Sequence, residues 1–71
     1  GKMEYKVNLM WDEEACVWVA FCDEAYLALE SGSLETLMKR VELALPEVLE
    51  LNNVAVEKPL TLYFVIKSVI D

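Results

Sequence analysis

Residues 3–22 read MEYKVNLMWDEEACVWVAFC, and this segment contains the pattern of two β-strands joined by a short connection. In its first half, apolar side chains recur at every second position, which is the period of a strand with one buried face. Residues 12–15 are acidic or small, and residues 16–22 are apolar on both faces of a second strand. The segment therefore predicts an antiparallel hairpin whose second strand is central in its sheet. The alternating residues of the first strand are Met3, Tyr5, Val7, Leu9 and Trp11.

The register of this hairpin has two solutions. Pairing of Trp11 with Cys16 places three side chains of the second strand on the face of Val7 and Leu9, namely Trp18, Ala20 and Cys22. A shift by one residue places the alternate set on that face, namely Val17, Val19 and Phe21. Because both sets are apolar, either solution leaves a second apolar face that needs a cover. We expect this second face to be the contact surface of the protein.

The rest of the chain predicts one more strand, a helix and a final strand. Residues 26–30 suit a brief third strand after a polar break, and Ser33 suits the N-cap of a helix from Leu34 to about Leu51. Pro46 predicts a helix that bends with this residue toward solvent, or a break into two helices. The apolar stripe of the helix comprises Leu34, Leu37, Met38, Val41, Ala44, Leu45, Val48 and Leu49.

The final strand is predicted over residues 60–70 and completes a βββαβ order. Leu60, Leu62, Phe64 and Ile66 fall on one face of this strand, whereas Thr61, Tyr63, Val65 and Lys67 fall on the other. The fold class is therefore α+β, with an antiparallel hairpin sheet and one helix packed on one of its faces. The opposite face of the sheet is left open.

Composition independently indicates an uncovered apolar surface. Apolar residues make up 56% of the 71 residues, above the ~45–50% that is usual in soluble domains. A chain of this length forms a single domain, residues 1–71, and buries only about 60% of the surface that its unfolded form exposes. We expect the surplus to be covered in a homo-oligomer or by a protein partner.

The two cysteines are predicted to be unpaired. Cys16 and Cys22 lie in one predicted strand, where they are separated by roughly 20 Å, far beyond the ~7 Å limit for a disulfide. We expect two buried thiols in a reducing cytoplasm, with an inter-chain disulfide as the alternative. No signal peptide and no apolar run of the ~18–20 residues that cross a bilayer is visible, so we expect a cytoplasmic protein without membrane contact.

No catalytic pattern is recognisable in the sequence. The chain has no histidine, so neither a Ser–His nor a Cys–His pair can form. Glycine occurs only at Gly1 and Gly32, which leaves no glycine-rich phosphate loop. The acidic residues 12–14 and 23–24 fall at opposite ends of the second strand, ~20 Å apart, too far for one metal site. We therefore expect no enzymatic activity, no metal and no cofactor.

The charge balance favours a basic protein as the partner. The chain carries 13 acidic and 6 basic residues, for a net charge of −7. Direct nucleic-acid binding draws on clustered Lys and Arg, and here only Lys39 and Arg40 are adjacent. An acidic surface instead accelerates encounter with a basic protein.

Three stretches of the chain resemble a known family. These stretches are residues 8–20 (NLMWDEEACVWVA), Leu29-Glu30 followed by residues 33–37 (SLETL), and residues 40–52 (RVELALPEVLELN). They are similar to a family of short bacterial domains of unknown function that is grouped with the HicB antitoxins. The resemblance implies a partial ribonuclease-H-like βββαβ fold. It also implies binding and silencing of a HicA-like toxin, a small basic protein that cleaves RNA with a histidine on a double-stranded-RNA-binding-like fold.

The chain departs from the family pattern in two places. Relatives often have Pro-Gly before the leucine of the third strand, where this chain has Ala25-Tyr26, so we expect a different turn. Many HicB proteins also carry a C-terminal DNA-binding segment, for which we expect no room within residues 1–71.

These lines of reasoning give two hypotheses about function. The first is a non-catalytic, HicB-like antitoxin that binds a small basic toxin. The alternative is a homo-oligomeric module that binds a small ligand or has a regulatory role, without a toxin partner. In both cases we expect the partner or dimer interface to include Val17, Val19, Phe21, Tyr63 and Leu43.

Overall fold

A computed structural model describes residues 3–71 of the chain and shows a four-stranded sheet with one helix on one face. The strand order in the sheet is β3-β2-β1-β4. The predicted α+β class and the βββαβ order are confirmed. In chain order the elements are β1 (Met3–Asp12), β2 (Val17–Cys22), a one-turn 3-10 helix (Asp23–Ala25), β3 (Leu27–Ser31), α1 (Leu34–Leu51) and β4 (Leu60–Ile66).

The sheet is mixed rather than purely antiparallel. β1, β2 and β3 form the predicted antiparallel meander, but β4 joins β1 in parallel, with Tyr5 opposite Leu62 and Leu9 opposite Ile66. The prediction of an antiparallel hairpin sheet is therefore wrong for this one strand. The reason is the crossover through α1, which returns the chain to the direction of β3, and β3 itself runs parallel to β1.

The β1–β2 hairpin pairs Trp11 with Trp18, so the proposed pairing of Trp11 with Cys16 is wrong by two residues. Because the shift is even, the faces remain those of the first solution, with Trp18, Ala20 and Cys22 on the helix side of the sheet. The loop keeps the predicted length of four residues but comprises residues 13–16 instead of 12–15. At its start the Asp12 carboxylate accepts from the backbone N–H groups of Glu14 and Ala15, both at 3.1 Å. Cys16 closes this loop in a left-handed conformation, with φ 54°.

Cys16 is exposed, so the prediction of two buried thiols holds only for Cys22. A second left-handed residue, Tyr26 (φ 54°), follows the 3-10 helix and precedes β3. The turn at Ala25-Tyr26 is thus built with a left-handed tyrosine. Tyr26 is therefore a corner residue and not, as predicted, the first residue of β3.

The helix has the predicted ends. Ser33 Oγ accepts from the backbone N–H of Thr36 at 3.2 Å, which confirms the N-cap. At the other end, Asn53 adopts a left-handed conformation (φ 62°) directly after the C-cap Asn52. α1 continues through Pro46 as one element, so the alternative of two helices is wrong.

Pro46 does not face solvent as predicted. It is half-buried on the flank of α1 that faces β4, in line with Met38 and Glu42 at intervals of four residues. The predicted orientation was wrong because this flank borders β4, which extends the sheet past the apolar stripe of the helix.

The core lies between α1 and the inner strands of the sheet. α1 packs mainly on β2 and β3, and its deepest side chains are fully enclosed there. Full burial of a leucine or valine contributes roughly 1.5–3 kcal/mol. No residue of β4 is fully buried, although this strand is mostly apolar. The buried residues are Val7, Leu9, Ala20, Cys22, Ala25, Leu27, Leu37, Val41, Leu45 and Leu49.

Candidate protein-binding surface

The face of the sheet opposite α1 carries a continuous group of apolar side chains, which we call the open face. Strand alternation directs these side chains away from the helix, because their neighbours in sequence point into the core. Tyr63 and Val65 remain 50% and 41% exposed, and the others are half-buried by one another and by neighbouring strands. The open face consists of Met10, Val17, Val19, Phe21, Tyr63 and Val65.

Cross-strand pairing explains how residues from three strands meet on this face. Met10 lies directly opposite Val19 in the antiparallel β1–β2 pair. Asn8 lies opposite Phe21 on one side and Val65 on the other, so it is flanked by two apolar side chains. Side chains of directly opposed residues are close enough to pack against each other. The open face is therefore a connected patch that crosses β2, β1 and β4.

Acidic side chains surround this apolar patch. On the strands of the open face itself, Glu4, Asp12 and Glu30 lie on the same side as the patch. Residues 13–14 lie in the hairpin loop at one end of β2, and residues 23–24 follow its other end. The basic side chains at this border are Lys6, opposite Tyr63, Lys67, near Met10, and Arg40, near Val19. The arrangement gives the patch an apolar centre and a mainly negative rim.

Tyr63 is fixed to this rim by a hydrogen bond. Its hydroxyl donates to Glu4 Oε2 at 3.1 Å, across the parallel β1–β4 pair. This bond and the negative charge of Glu4 raise the pKa of Tyr63 above its ordinary value of 10.0, with a smaller contribution from partial desolvation. Tyr63 therefore stays neutral at physiological pH and offers an apolar ring whose hydroxyl is already oriented.

Four of the five predicted interface residues meet on the open face. Val17, Val19 and Phe21 lie on β2, and Tyr63 lies two strands away on β4. Leu43 does not join them. It is 75% exposed on the outer side of α1, opposite the stripe that packs on the sheet, and so lies on the far side of the molecule. The prediction grouped it with the others on exposure alone, which gives no information about location.

Met10 and Val65 are residues of the patch that sequence reasoning missed. Met10 interrupts the polar face of the alternating first strand, and Val65 does the same on the final strand. Each is an apolar side chain at a position whose period predicts a polar one. This mismatch was the available signal, but the pairing that brings the two positions near Phe21 and Val19 depends on the strand order.

A second apolar feature lies on the helix side of the sheet, between α1 and β4. We call it the β4 groove. It has a volume of about 440 Å³, with an apolar floor from β4 and a wall from α1. Lys58 and Glu42 stand at its border. The apolar residues of the β4 groove are Met38, Pro46, Leu60, Leu62 and Phe64.

The described part of the chain contains no metal-binding cluster. Within residues 3–71 no three His, Cys, Asp or Glu side chains come together as ligands. The carboxylate of Asp12 is occupied by the hairpin backbone. Across the same residues, the one helix lacks the length and apolarity needed to cross a bilayer.

Comparisons with known proteins identify the family but name no activity for it. The chain is similar to the crystal structure of a hypothetical protein from the extremely thermophilic bacterium Thermus thermophilus, with a TM-score of 0.82 and 39% sequence identity. That similarity covers 96% of this chain and 97% of the other. No curated protein matches. The model of a domain of unknown function, DUF1902, matches residues 4–70, and the chain belongs to this family.

Proposed function

We propose that the protein is a non-catalytic binding module of the HicB-like antitoxin type, which binds and neutralises a small basic, RNA-cleaving toxin through the open face. The observation that carries this proposal is the apolar patch with its acidic rim. The resemblance of residues 8–20 and 40–52 to domains grouped with the HicB antitoxins adds independent support.

The apolar centre of the patch is better suited to contact with a protein than to exposure to water. Phe21, Val19 and Met10 form a flat, connected surface, and Tyr63 adds an aromatic side chain with a polar tip. Aromatic and methionine side chains are enriched in the centres of protein interfaces, where they supply most of the binding energy. A flat sheet face offers a large contact area of this kind without an enclosing cavity.

The acidic rim determines which kind of protein can approach. The net charge is −7, and Glu4, Asp12 and Glu30 project on the side of the patch. Such a field raises the rate of encounter with a positively charged protein and disfavours an acidic one. A basic ribonuclease that binds RNA phosphates must itself be positively charged, so the two surfaces are complementary.

The proposal is tested by capture and by inhibition. The tagged protein retains its partner from a lysate of its own organism, and mass spectrometry identifies the retained proteins. We expect a small basic protein in stoichiometric amount that cleaves RNA when purified alone and stops cleaving when this protein is added. Expression of that partner should arrest growth, and co-expression of this protein should restore it. A recovered basic protein without ribonuclease activity would contradict the antitoxin function.

A variant of the open face tests the location of the binding site. Val19→Lys places a positive charge in the centre of the patch without touching the core, and we expect at least about tenfold weaker binding of the toxin. Leu51→Lys is the matched control, because Leu51 is 82% exposed at the end of α1. Leu43→Lys asks separately whether the outer side of the helix contributes. Equal binding by Val19→Lys and the native protein would place the interface elsewhere.

The alternative function, a homo-oligomeric small-ligand or regulatory module, is favoured by the β4 groove. Its volume of about 440 Å³ lies in the range of small-molecule sites. Under this alternative, the capture experiment recovers only the protein itself, and a metabolite raises the melting temperature. Under the antitoxin proposal, a protein raises it and metabolites do not.

A further inference from the structure

β4 is an edge strand with no protection along its length. It runs for seven residues, Leu60–Ile66, and pairs with β1 on one side only. Its sequence LTLYFVI contains no charged residue and no proline. Pro59 and Lys67, which would discourage pairing, lie just outside it. A long apolar edge of this kind is a template for another strand.

The other edge of the sheet is different. β3 has five residues and includes Glu30, whose side chain lies on the open side of the sheet. The backbone carbonyl of Glu30 accepts from the Arg40 guanidinium at 2.8 Å. Short length, a charged side chain and a cationic cover are the means by which proteins block edge pairing. Of the two edges of the sheet, β4 is therefore the one open to pairing with another strand.

The hydrogen-bond pattern shows which backbone groups of β4 are unpaired. The N–H of Lys67 donates to the Leu9 carbonyl of β1 at 2.8 Å, so the odd-numbered residues direct their backbone groups toward β1. Because backbone direction alternates along a strand, the even-numbered residues direct theirs to the free edge. These are Leu60, Leu62, Phe64 and Ile66, whose side chains lie on the helix side of the sheet, and the first three line the β4 groove.

We propose that the β4 edge pairs with the β4 edge of a second copy of this chain, antiparallel and centred on Tyr63. This register overlaps all seven residues. It places Leu62 opposite Phe64 of the second copy, and Leu60 opposite Ile66 of the second copy, as hydrogen-bonded pairs. Tyr63 faces its own counterpart as a non-hydrogen-bonded pair. Two four-stranded sheets thereby become one continuous sheet.

A second copy is the occupant because the edge is complementary to itself. On the groove side of the seam, every cross-strand pair joins two apolar side chains. This pairing would account for the composition of β4, which is as apolar as a core strand although none of its residues is fully buried in the single chain. Charge points the same way. Two copies that each carry −7 repel one another over most of their surfaces, and β4 is a segment where they can meet without bringing like charges together.

Sedimentation of the native protein and two lysine variants tests the association. The single chain has a mass of 8.1 kDa, and we expect a concentration-dependent species of twice that mass. Ile66 is 57% exposed and its backbone faces the free edge, so Ile66→Lys should leave the fold intact and weaken dimerisation at least tenfold. Leu43→Lys, at a residue 75% exposed on α1, is the matched control and should dimerise normally. A native protein that stays monomeric up to millimolar concentration would overturn the proposal.

Disulfide trapping tests the register and does not depend on affinity. The background variant is Cys16→Asn, which removes the exposed thiol and suits the left-handed backbone there. Non-hydrogen-bonded antiparallel pairs have Cα atoms about 4.5 Å apart, within the range that a disulfide bridges. Tyr63→Cys should therefore yield a covalent dimer on mild oxidation.

Val65→Cys provides the control for this experiment. It lies on the same strand and the same face as Tyr63, but in the proposed register it opposes Thr61 of the second copy. Two Val65→Cys chains hold their thiols roughly 13 Å apart, four strand residues, which no disulfide can span. Rapid linkage of Tyr63→Cys alone supports the pairing, whereas equal linkage of both variants would contradict it.

Discussion

At the scale of single residues, Tyr63 and Glu4 offer a local probe of the open face. The hydroxyl of Tyr63 donates to the Glu4 carboxylate, and this contact raises the pKa of Tyr63 above 10.0. Removal of the carboxylate in Glu4→Ala should lower that pKa toward 10.0, because both the acceptor and the negative charge are lost. The ζ-carbon chemical shift of labelled tyrosine, followed against pH by NMR, measures it directly.

The hydrogen bond between Tyr63 and Glu4 also makes the stability of the fold depend on pH, in a direction that follows from the raised pKa. A folded-state pKa above the unfolded value means that the contribution of Tyr63 is fully present below pH 10 and is lost as pH rises through the folded pKa. Native protein should therefore lose slightly more stability than Glu4→Ala between neutral and strongly alkaline pH. Identical pH profiles, together with an unchanged tyrosine titration, would show that the hydrogen bond does not persist in solution.

Single residues also mark the limit of what the sequence predicts. Ser33 was identified as the N-cap because a serine before an apolar helical period has few other roles. Cys16 was assigned to β2 because it adjoins an apolar run, yet it is the left-handed last residue of the hairpin loop. The loop begins one residue later than predicted, after Asp12, whose carboxylate accepts two backbone hydrogen bonds from the loop. Such a bond depends on the three-dimensional turn and leaves no periodic signal.

At the scale of elements, the N-cap of α1 offers a test of local helix stability. Ser33→Ala removes the acceptor for the N–H of Thr36 and should lower the free energy of unfolding by about 1 kcal/mol. Ser68→Ala, at an exposed residue outside the strands, should change it by less than about 0.5 kcal/mol. Urea unfolding followed by circular dichroism measures both, with an unchanged m value as the sign that the unfolded state is unaffected.

The elements were more predictable than their arrangement. The period of two located β1 and β4 and the period of 3.6 residues located α1 within a few residues, since burial of one face imposes these periods directly. β2 was located by a short continuous apolar run. The parallel pairing of β4 with β1 was not predicted, because an apolar strand of this length can close either edge of the hairpin sheet. The position of β4 nevertheless determines the candidate site. It brings Tyr63 beside Lys6 and Val65 beside Asn8, and it leaves Phe64 at the free edge.

At the scale of the whole molecule, the open face and the β4 edge are separate surfaces that share one strand. A two-fold axis through the β4–β4 seam is perpendicular to the sheet, so both open faces of the proposed dimer point the same way. Four of the six patch residues lie on β1 and β2, away from the seam, and only Tyr63 and Val65 lie beside it, so each copy keeps its own patch. The assembly therefore presents two acidic-rimmed patches side by side, one for each partner molecule.

This arrangement predicts that the two surfaces can be inactivated independently. Val19→Lys should abolish partner binding while its sedimentation remains that of a dimer. Ile66→Lys should sediment as a monomer and still bind one partner per chain with affinity within about threefold of native, since its patch is intact. Sedimentation measures the oligomeric state of each variant, and calorimetric titration with the captured basic protein measures the partner affinity of each. Loss of both properties in either variant would mean that a single surface serves both roles, and that the partner binds across the seam rather than on each open face.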